Sequence, residues 1–237
     1  MFKLLIAASG SKANATAIIH DGHAVLIDCG LSYKALCAAF DVSLIDAVFV
    51  THSHSDHIKG LTVLKKHTDA PFYSAVDIEG CIKMTGPVDI GGMHVDYFAC
   101  SHDVPCVGYK ITADGKTLAI ATDTGVVTDT MRGCLEGCDT VMLECNHDPD
   151  MLRFGPYPQS LKSRIASSEG HLSNPDCAKM LTYLCTKGTC RAVLAHLSET
   201  NNMPLTAKKA VCDELGKYGL CDKMEVIVAQ SLTEIEL

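Results

Sequence analysis

The chain has 237 residues, of which 47% are hydrophobic, 20% charged and only 5% aromatic, and its formal net charge is −8. This apolar fraction excludes a disordered chain, and no stretch approaches the roughly 18 to 20 apolar residues that a membrane-spanning helix needs. The 13 cysteines are an odd number in a chain long enough to fold without disulfides, which argues against a disulfide scaffold and for a reducing cytoplasm.

Short apolar runs bounded by Gly, Asp or Ser predict strands along the whole chain. The apolar run at residues 4–8 is shorter than the ~7 to 15 residues of a signal-peptide core, so we expect a buried first strand at 3–8 and no export signal. Strands at 15–20 and 24–28 flank Asp21-Gly22, a dipeptide typical of a tight hairpin turn. Further strands are predicted at 47–51, 93–98, 107–111, 117–121, 140–144, 192–196 and 225–229.

Helical patterns alternate with these strands, most regularly in the second half of the chain. They lie at 32–40, 59–67, 76–84, 128–134, 159–167, 175–186 and 205–215. Asn174 before Pro175 is a predicted N-cap, and Gly188 and Gly216 are predicted C-caps. Hairpins followed by strand–helix alternation predict an α/β sandwich of sheet layers covered by helices, and not a doubly wound parallel sheet. Since no linker or repeat interrupts the pattern, residues 1–237 are predicted to form a single domain.

Potential metal ligands are concentrated directly after the apolar strand that ends near Val50. There, residues 51–57 read Thr-His-Ser-His-Ser-Asp-His. Because side chains alternate along an extended chain, His52 and His54 share one side, and the following turn can direct Asp56 and His57 toward them. Imidazole and carboxylate ligands suit Zn²⁺, Mn²⁺ or Fe²⁺ and not Ca²⁺. The cysteines form no CxxC pairs, so we expect a His/Asp site with positions open to water, unlike a closed structural zinc site.

With these residues the sequence resembles the metallo-β-lactamase fold superfamily, whose HxHxDH motif matches residues 52–57. The resemblance extends through Ile27-Asp28-Cys29-Gly30, His102, Asp123 in Thr-Asp-Thr-Gly, and His196. It implies an αββα sandwich of two mixed β-sheets flanked by helices, with two divalent metal ions (Zn, Mn or Fe). It also implies a ligand set: one ion on His52, His54 and His102, the other on Asp56, His57 and His196, and Asp123 between them. Asp28 is expected to orient a neighbour by hydrogen bonding without binding metal.

Other segments indicate which subfamily of this superfamily the sequence resembles. Asp56-His57 supplies a full second metal site, which true β-lactamases usually lack. The 73 positions from Asp123 to His196 are more than in glyoxalase-type thioesterases and fewer than in nucleases with a large inserted cap. Four segments resemble the YycJ/WalJ (VicX) family: 8–14 (ASGSKAN), 143–148 (LECNHD), 170–174 (GHLSN) and 195–202 (AHLSETNN). That family implies a metal-dependent phosphodiesterase acting on nucleic acid, most of all a DNA exonuclease. The 20 residues between His102 and Asp123 leave no room for the tRNA-gripping arm of the related RNases Z.

Further residues are expected at the site. His171 is the candidate acid for the leaving oxygen through its resemblance to the catalytic His of RNase Z-like proteins, and the other catalytic candidates are His147, Glu144 and Asp56. Lys162 and Arg164 are expected near a phosphate backbone. Five polar residues could contact phosphate or merely shape turns: Ser11, Asn14, Ser173, Ser198 and Asn201.

Two other functions remain open from the sequence: a lactonase or thioesterase on the same metals, and a regulatory protein that keeps the metal without catalysis. The few aromatic residues do not suggest sequence-specific readout of bases. The acidic net charge argues against nonspecific adhesion to nucleic acid or to a membrane surface, so a nucleic acid substrate, DNA more than RNA, would need a local patch or bound metal.

Overall fold

The computed structural model describes residues 2–237, so that Met1, which the predicted domain 1–237 includes, lies outside the described residues. The chain divides into two compact units. The first comprises the chain up to Tyr97, Ile111–Lys116 and Gln230–Leu237, and the second comprises Phe98–Lys110 and Thr117–Ala229. Across residues 2–237, every helix is too short or too polar to cross a bilayer.

Strands and helices follow one another in the chain with short connections. The strands are β1 (Phe2–Ala8), β2 (Ala15–His20), β3 (His23–Ile27), β4 (Ile45–Phe49), β5 (Phe72–Ser74), β6 (Ile82–Lys83), β7 (Val88–Ile90), β8 (Met93–Cys100), β9 (Cys106–Ala113), β10 (Lys116–Ala121), β11 (Thr140–Glu144), β12 (Arg191–Ala195), β13 (Glu225–Val228) and β14 (Thr233–Glu236). The α-helices are α1 (Tyr33–Ala39), α2 (Ser55–Ile58), α3 (Leu61–Leu64), α4 (Asp129–Leu135), α5 (Pro149–Phe154), α6 (Gln159–Ile165), α7 (Asn174–Thr186) and α8 (Pro204–Lys217).

The first unit is built on a mixed sheet with the strand order β14-β1-β2-β3-β4-β5-β6. The strands from β14 to β3 pair antiparallel, and those from β3 to β6 pair parallel. The hairpin between β2 and β3 turns at Asp21 and Gly22, both with positive φ (48° and 87°), which is the backbone of the tight turn predicted from that dipeptide. Leu26 and Val48 from the sheet and Leu36 and Leu64 from α1 and α3 belong to one buried cluster.

The second sheet has the strand order β13-β12-β11-β10-β9-β8-β7, and its strands from β10 to β13 run parallel. Every residue of β11 is buried, as expected of a strand with neighbours on both sides and cover on both faces. The second unit has its own core, in which Val141 and Leu194 of the sheet join Leu181 of α7 and Val211 of α8. Parallel strands thus end at a common edge, and the loops beyond that edge lie together.

The predicted fold class, two mixed sheets flanked by helices, is confirmed, and the predicted strands lie within two residues of observed ones. The predicted helix at 76–84 is wrong: the segment forms turns and ends in β6, which pairs with β5. The N-cap of α7 is Ser173, whose hydroxyl accepts from Asp176 N, and not Asn174. Gly216 lies inside α8, which continues to Lys217.

One charged contact in the first unit makes its stability depend on pH. The hydrogen bond from His20 Nε2 to Asp114 Oδ2 (2.9 Å) raises the pKa of His20 above its ordinary 6.5, against the opposing effect of burial. A raised folded-state pKa adds stability that is fully present below about pH 6.5 and is lost as the pH rises through the folded value.

We therefore predict that His20→Gln, which cannot take the proton, destabilises the protein more at pH 5.5 than at pH 8. Urea unfolding at the two pH values measures the difference. Asp114→Asn should flatten the pH dependence in the same way. A loss of stability in His20→Gln that is equal at both pH values would contradict the assignment.

Candidate metal centre

In the first unit, the residue types after β4 change within three positions from apolar residues to predicted metal ligands. Phe49 and Val50 are fully buried, and the chain then passes through Thr51 and His52 to His54, which is the N-cap of α2. The rings of His52 and His54 lie with centroids 4.7 Å apart, and those of His52 and His57 lie 4.1 Å apart. The motif therefore gathers its imidazoles at one point, as the alternation of the extended chain predicted.

A buried carboxylate fixes one of these rings. Asp28 Oδ2 lies 2.7 Å from Nδ1 of His57, and the same carboxylate accepts from the backbone N–H and the hydroxyl of Thr51 (2.8 and 2.9 Å). Because an ionised carboxylate only accepts, His57 must carry its proton on Nδ1 and presents the lone pair of Nε2. This is the arrangement by which a carboxylate orients a histidine that binds metal, and it fits the role expected of Asp28.

The loop before β2 holds the other end of the motif. Asn14 is buried; its Nδ2 donates to Gly10 O (3.1 Å) and lies 2.9 Å from Nε2 of His57 and 3.3 Å from Oδ2 of Asp56. Its backbone N–H donates to Asp56 O (2.8 Å). A metal ion on His57 Nε2 would take over the lone pair that now accepts from Asn14. The contacts of Asn14 are thus with the motif, and they favour a positioning role over direct contact with substrate.

In the second unit, three adjacent parallel strands each deliver one functional residue at their carboxyl ends. Asp123 follows β10, Glu144 is the last residue of β11, and His196 follows β12. Asp123 and His196 have positive φ (57° and 53°), as Asp28 does after β3 in the first unit (61°). Such backbone is sparsely populated for residues other than glycine and is found most often at functional sites.

Glu144 holds two histidines at once. Its Oε1 lies 2.8 Å from Nδ1 of His171 and 2.7 Å from Nδ1 of His196, and its Oε2 accepts from the backbone N–H groups of Thr124 and Leu172. Full burial opposes ionisation, but the charges and hydrogen bonds of the two histidines outweigh it and lower the pKa of Glu144 to about 2. With both oxygens engaged in hydrogen bonds, Glu144 is suited to orienting ring nitrogens.

The pKa values of two further histidines of this unit, His102 and His171, shift in opposite directions. Nδ1 of His102 lies 3.1 Å from the carbonyl of Gly170, so its Nε2 is presented near Asp123 Oδ1, at 3.9 Å. Burial is the main reason that the pKa of His102 is lowered, and this favours the neutral ring that metals bind. Burial also acts to lower the pKa of His171, but the charge and hydrogen bond of Glu144 overcome it and raise that pKa.

Each unit therefore offers donors of the kind that bind Zn²⁺, Mn²⁺ or Fe²⁺: imidazole nitrogens whose opposite ring nitrogen is anchored, and carboxylates. In the second unit, these donors lie around Asp123, whose Oδ1 is 3.5 Å from Nδ1 of His196 and 3.9 Å from Nε2 of His102. The residues present fit a divalent metal in their chemistry and in the anchoring of their rings.

The residues expected to contact substrate divide into two groups. Three have hydrogen bonds that belong to turns and caps: Ser173 caps α7, and Ser198 accepts from Asn201 N (3.1 Å), both residues being buried. These contacts match the turn-shaping role that the sequence left open. Ser11 is exposed, and Lys162 and Arg164 lie on α6, where Arg164 pairs with Asp103 at 3.0 Å.

His147 stands apart from the other histidines. It is only 3% exposed, and its Nδ1 makes no hydrogen bond within residues 2–237. Burial lowers its pKa. The chain holds its backbone firmly, since its carbonyl accepts from Asn174 N (2.8 Å) beside the segment that carries His171. Its ring lines a cavity between α5 and α6.

The sequence did not predict the hydrogen-bonding groups that orient the site residues. The hydroxyl of Thr51, the backbone N–H of Thr124 and the carbonyl of Gly170 each bind a site residue. Thr51 and Gly170 are adjacent to site histidines in the sequence, and that adjacency was the available signal. The backbone contacts carry no residue-type signal at all.

Comparisons with known proteins identify the same superfamily as the HxHxDH motif. The family model for the metallo-β-lactamase superfamily matches residues 9–95, and a second model, for a β-lactamase superfamily domain, matches residues 81–197. The chain is 36% identical to the exodeoxyribonuclease YycJ of Bacillus anthracis over 90% of this chain and 89% of that protein. It is 33% identical to the exodeoxyribonuclease WalJ of Streptococcus pneumoniae, over 92% of this chain and 90% of that protein.

Among solved structures, the metallo-β-lactamase fold protein YhfI from Bacillus subtilis superposes with a TM-score of 0.77, covering 99% of this chain and 98% of that one. The identity is 18%, so this likeness speaks to the fold alone. Together with the two sheets it confirms the fold that the resemblance implied.

Gly30 tests how tightly the motif is held. A Cβ at this position would lie 1.7 Å from the carbonyl oxygen of Asp56 and 2.6 Å from Asn14 N. We predict that Gly30→Ala displaces the first turn of α2, destabilises the fold by about 1–3 kcal/mol or more, and weakens metal binding. Urea unfolding and calorimetric titration with Zn²⁺ measure both effects. Gly86→Ala is the matched control, because a Cβ there meets nothing within 4 Å; equal effects of the two substitutions would contradict the prediction.

Glu144 tests the anchoring of the rings. Glu144→Gln removes the charge and brings an amide N–H₂ against groups that themselves donate. We expect Zn²⁺ or Mn²⁺ affinity to fall by about 10–100-fold while the fold is retained. Calorimetric titration measures the affinity and circular dichroism the fold. Glu169→Gln, on an exposed residue of the same unit, should leave the affinity unchanged; an unchanged affinity in Glu144→Gln as well would show that the carboxylate does not position a ligand.

Proposed function

Because the chain belongs to the metallo-β-lactamase superfamily, and within it to the family of the YycJ and WalJ exodeoxyribonucleases, we propose that this metal-dependent hydrolase is a DNA exonuclease. The observation that carries the proposal is the identity of 33–36% over about nine-tenths of the chain to proteins with this activity. The histidines at the strand ends also support the proposal. Carboxylates anchor the rings of His57, His171 and His196, and metal-dependent hydrolysis needs oriented imidazoles of this kind.

The proposed centre holds two divalent ions. His52, His54 and His102 would hold one ion, Asp56, His57 and His196 would hold the other, and Asp123 would contribute to both. Support comes from the register of these residues with the family motif and from the anchored Nδ1 atoms of His57 and His196. Zn²⁺, Mn²⁺ and Fe²⁺ all suit this donor set.

When bound, such ions supply a hydroxide nucleophile at neutral pH and neutralise charge on the phosphorus in the transition state. The chain itself must move the proton to the leaving oxygen. His171 is suited to this, because Glu144 fixes its Nδ1 at 2.8 Å and so directs Nε2 away from the strand end. The carboxylate also raises the pKa of His171, so more of it keeps its proton near neutral pH. His147 is the weaker candidate for this role.

The proposed substrate is the phosphodiester backbone, read without regard to base sequence. In this proposal, Lys162 and Arg164 on α6 are the residues that would attract phosphates, and the chain is poor in aromatic residues that would stack on bases. DNA is favoured over RNA by the activity of the two relatives. We also propose that the whole chain acts as one hydrolase domain, and that it works in the cytoplasm, where its 13 cysteines, none of them in a disulfide, are kept reduced.

The test uses the full chain loaded with Mn²⁺ or Zn²⁺ and end-labelled duplex DNA, with a lactone and a thioester alongside. We expect nucleotide release, and we expect Asp123→Asn to lower it by about a thousandfold or more, because charge stabilisation by metal is worth several kcal/mol. Asp129→Asn, the same change on an exposed residue of α4, should leave the rate unchanged. Turnover of the lactone or thioester without nucleotide release would overturn the proposal in favour of a small-molecule hydrolase.

A further inference from the structure

A cavity of about 260 Å³ lies between α5 and α6 in the second unit, apart from the proposed metal ligands. His147, Arg153, Gln159, Lys162 and Ser163 supply its polar wall. No described residue that lines it is acidic. In a chain with a net charge of −8, a cavity with two cationic side chains and no carboxylate is unusual, and it suits an anion.

The cations of this cavity are held by other parts of the chain. Nζ of Lys162 donates to the carbonyl of Arg153 (2.8 Å), which ties α6 to the end of α5 and keeps the ammonium at the cavity wall. The guanidinium of Arg153 lies 5.3 Å from the ring centroid of Phe154. The arrangement therefore limits the entropy that a bound anion would cost these two long side chains.

His147 is the most buried polar residue that lines the cavity. Its ring is 97% buried, lines the cavity, and has an Nδ1 with no hydrogen bond within the described residues. A buried polar side chain that lacks a protein partner costs free energy, so such groups usually have a ligand or a water. His147 is thus the one lining residue with a buried ring nitrogen that has no protein partner among the described residues.

The backbone of His147 connects the cavity to the proposed reaction site. His147 follows Glu144 by three residues, and Asn146 N donates to Leu172 O while Asn174 N donates to His147 O. One residue of the cavity wall, His147, is thus bonded through its backbone to the segment that carries His171. A group bound there would lie at the carboxyl end of β11, on the side of α5 and α6.

We propose that this cavity binds the terminal phosphate monoester of a DNA strand. The inference rests on the proposed function, and it adds which part of the substrate the enzyme recognises. A phosphate monoester carries about −1.5 to −2 charges at pH 7 and three acceptor oxygens, whereas each internal diester carries one charge. Two cations with uncharged donors around them favour the monoester, so the enzyme would select a strand end over the interior.

The test compares duplexes with a 5′-phosphate, a 3′-phosphate or hydroxyl groups at both ends. In the metal-loaded full chain we expect one of the two phosphorylated ends to raise kcat/KM by about tenfold, a typical gain for a charge-assisted contact. The end that gives the gain identifies the source of the phosphate. Equal kcat/KM on all three duplexes would overturn the proposal.

Two substitutions on one helix show whether the cavity is responsible. Ser163→Asp places a carboxylate in the cavity wall, and Ser160→Asp makes the same change on an exposed residue of α6 that does not line it. We expect the end preference to fall to about one in Ser163→Asp and to persist in Ser160→Asp. Lys162→Met gives a second test by removing a cation. Equal losses in the two Ser→Asp variants would indicate general repulsion and would contradict the cavity.

Binding measurements keep this inference separable from the proposed function. Hydrolysis-resistant phosphorothioate duplexes with phosphate or hydroxyl ends are titrated against wild-type protein and Ser163→Asp, and fluorescence anisotropy gives Kd. If wild-type protein releases no nucleotides but binds phosphorylated ends more tightly, and Ser163→Asp does not, the exonuclease proposal fails and the cavity stands. If nucleotides are released but Kd does not depend on the end, the cavity proposal fails alone.

Discussion

The contact between a buried carboxylate and a histidine ring recurs at the strand ends of both units. Asp28 holds His57 in the first unit, and Glu144 holds His171 and His196 in the second. A buried carboxylate is costly unless it is paired and hydrogen-bonded, and both carboxylates here also accept from backbone N–H groups. The same bonds that make burial of these charges tolerable also fix the protons on Nδ1. Ring orientation is thus decided when the protein folds, before any metal binds.

The backbone at the strand ends positions three of the site residues. Asp28, Asp123 and His196 adopt positive φ directly after strands or two residues beyond one, and each such residue costs on the order of 1–3 kcal/mol. Completely buried strands such as β11 supply apolar burial that offsets this cost. In the second unit, this backbone turns the chain at the ends of β10 and β12, where Asp123 Oδ1 lies 3.5 Å from Nδ1 of His196. A more relaxed loop would carry the same residues farther from the strand and would hold them less firmly.

The sequence could predict the elements whose pattern is local. The apolar strands, the turn at Asp21-Gly22 and the histidine cluster after β4 all have short-range signals, and each lies where it was expected. The segment 76–84 did not fold as its helical pattern predicted, because pairing with β5 draws its end into the first sheet. Short strands such as β5, β7 and β14 hold few residues and carry almost no periodicity.

The site shows the same division between local and nonlocal information. The type and spacing of the proposed metal ligands follow from a motif, but the partner of each ring depends on distant segments: Glu144 reaches His196 across 52 positions, and Gly170 reaches His102 across 68. Polar residues at the site were ambiguous for this reason. From the sequence, Ser173 and Asn14 were both candidates for contacting phosphate or shaping a turn. In the structure, Ser173 caps a helix, whereas Asn14 contacts two motif residues.

The distribution of charge in the chain relates the cavity to the proposed hydrolysis of DNA. The chain as a whole is acidic, so it gains little from long stretches of DNA backbone, and few phosphate contacts mean a shallow dependence of affinity on salt. Productive binding must then depend on a small number of strong, localised contacts. In the proposed function, divalent ions at the strand ends and the cations of the cavity beside His147 would be two such places. A protein built in this way binds best where a strand ends, because an end offers extra charge that the interior of a duplex does not. Exonucleolytic action then follows from where the positive charge lies, and no general affinity for DNA is required.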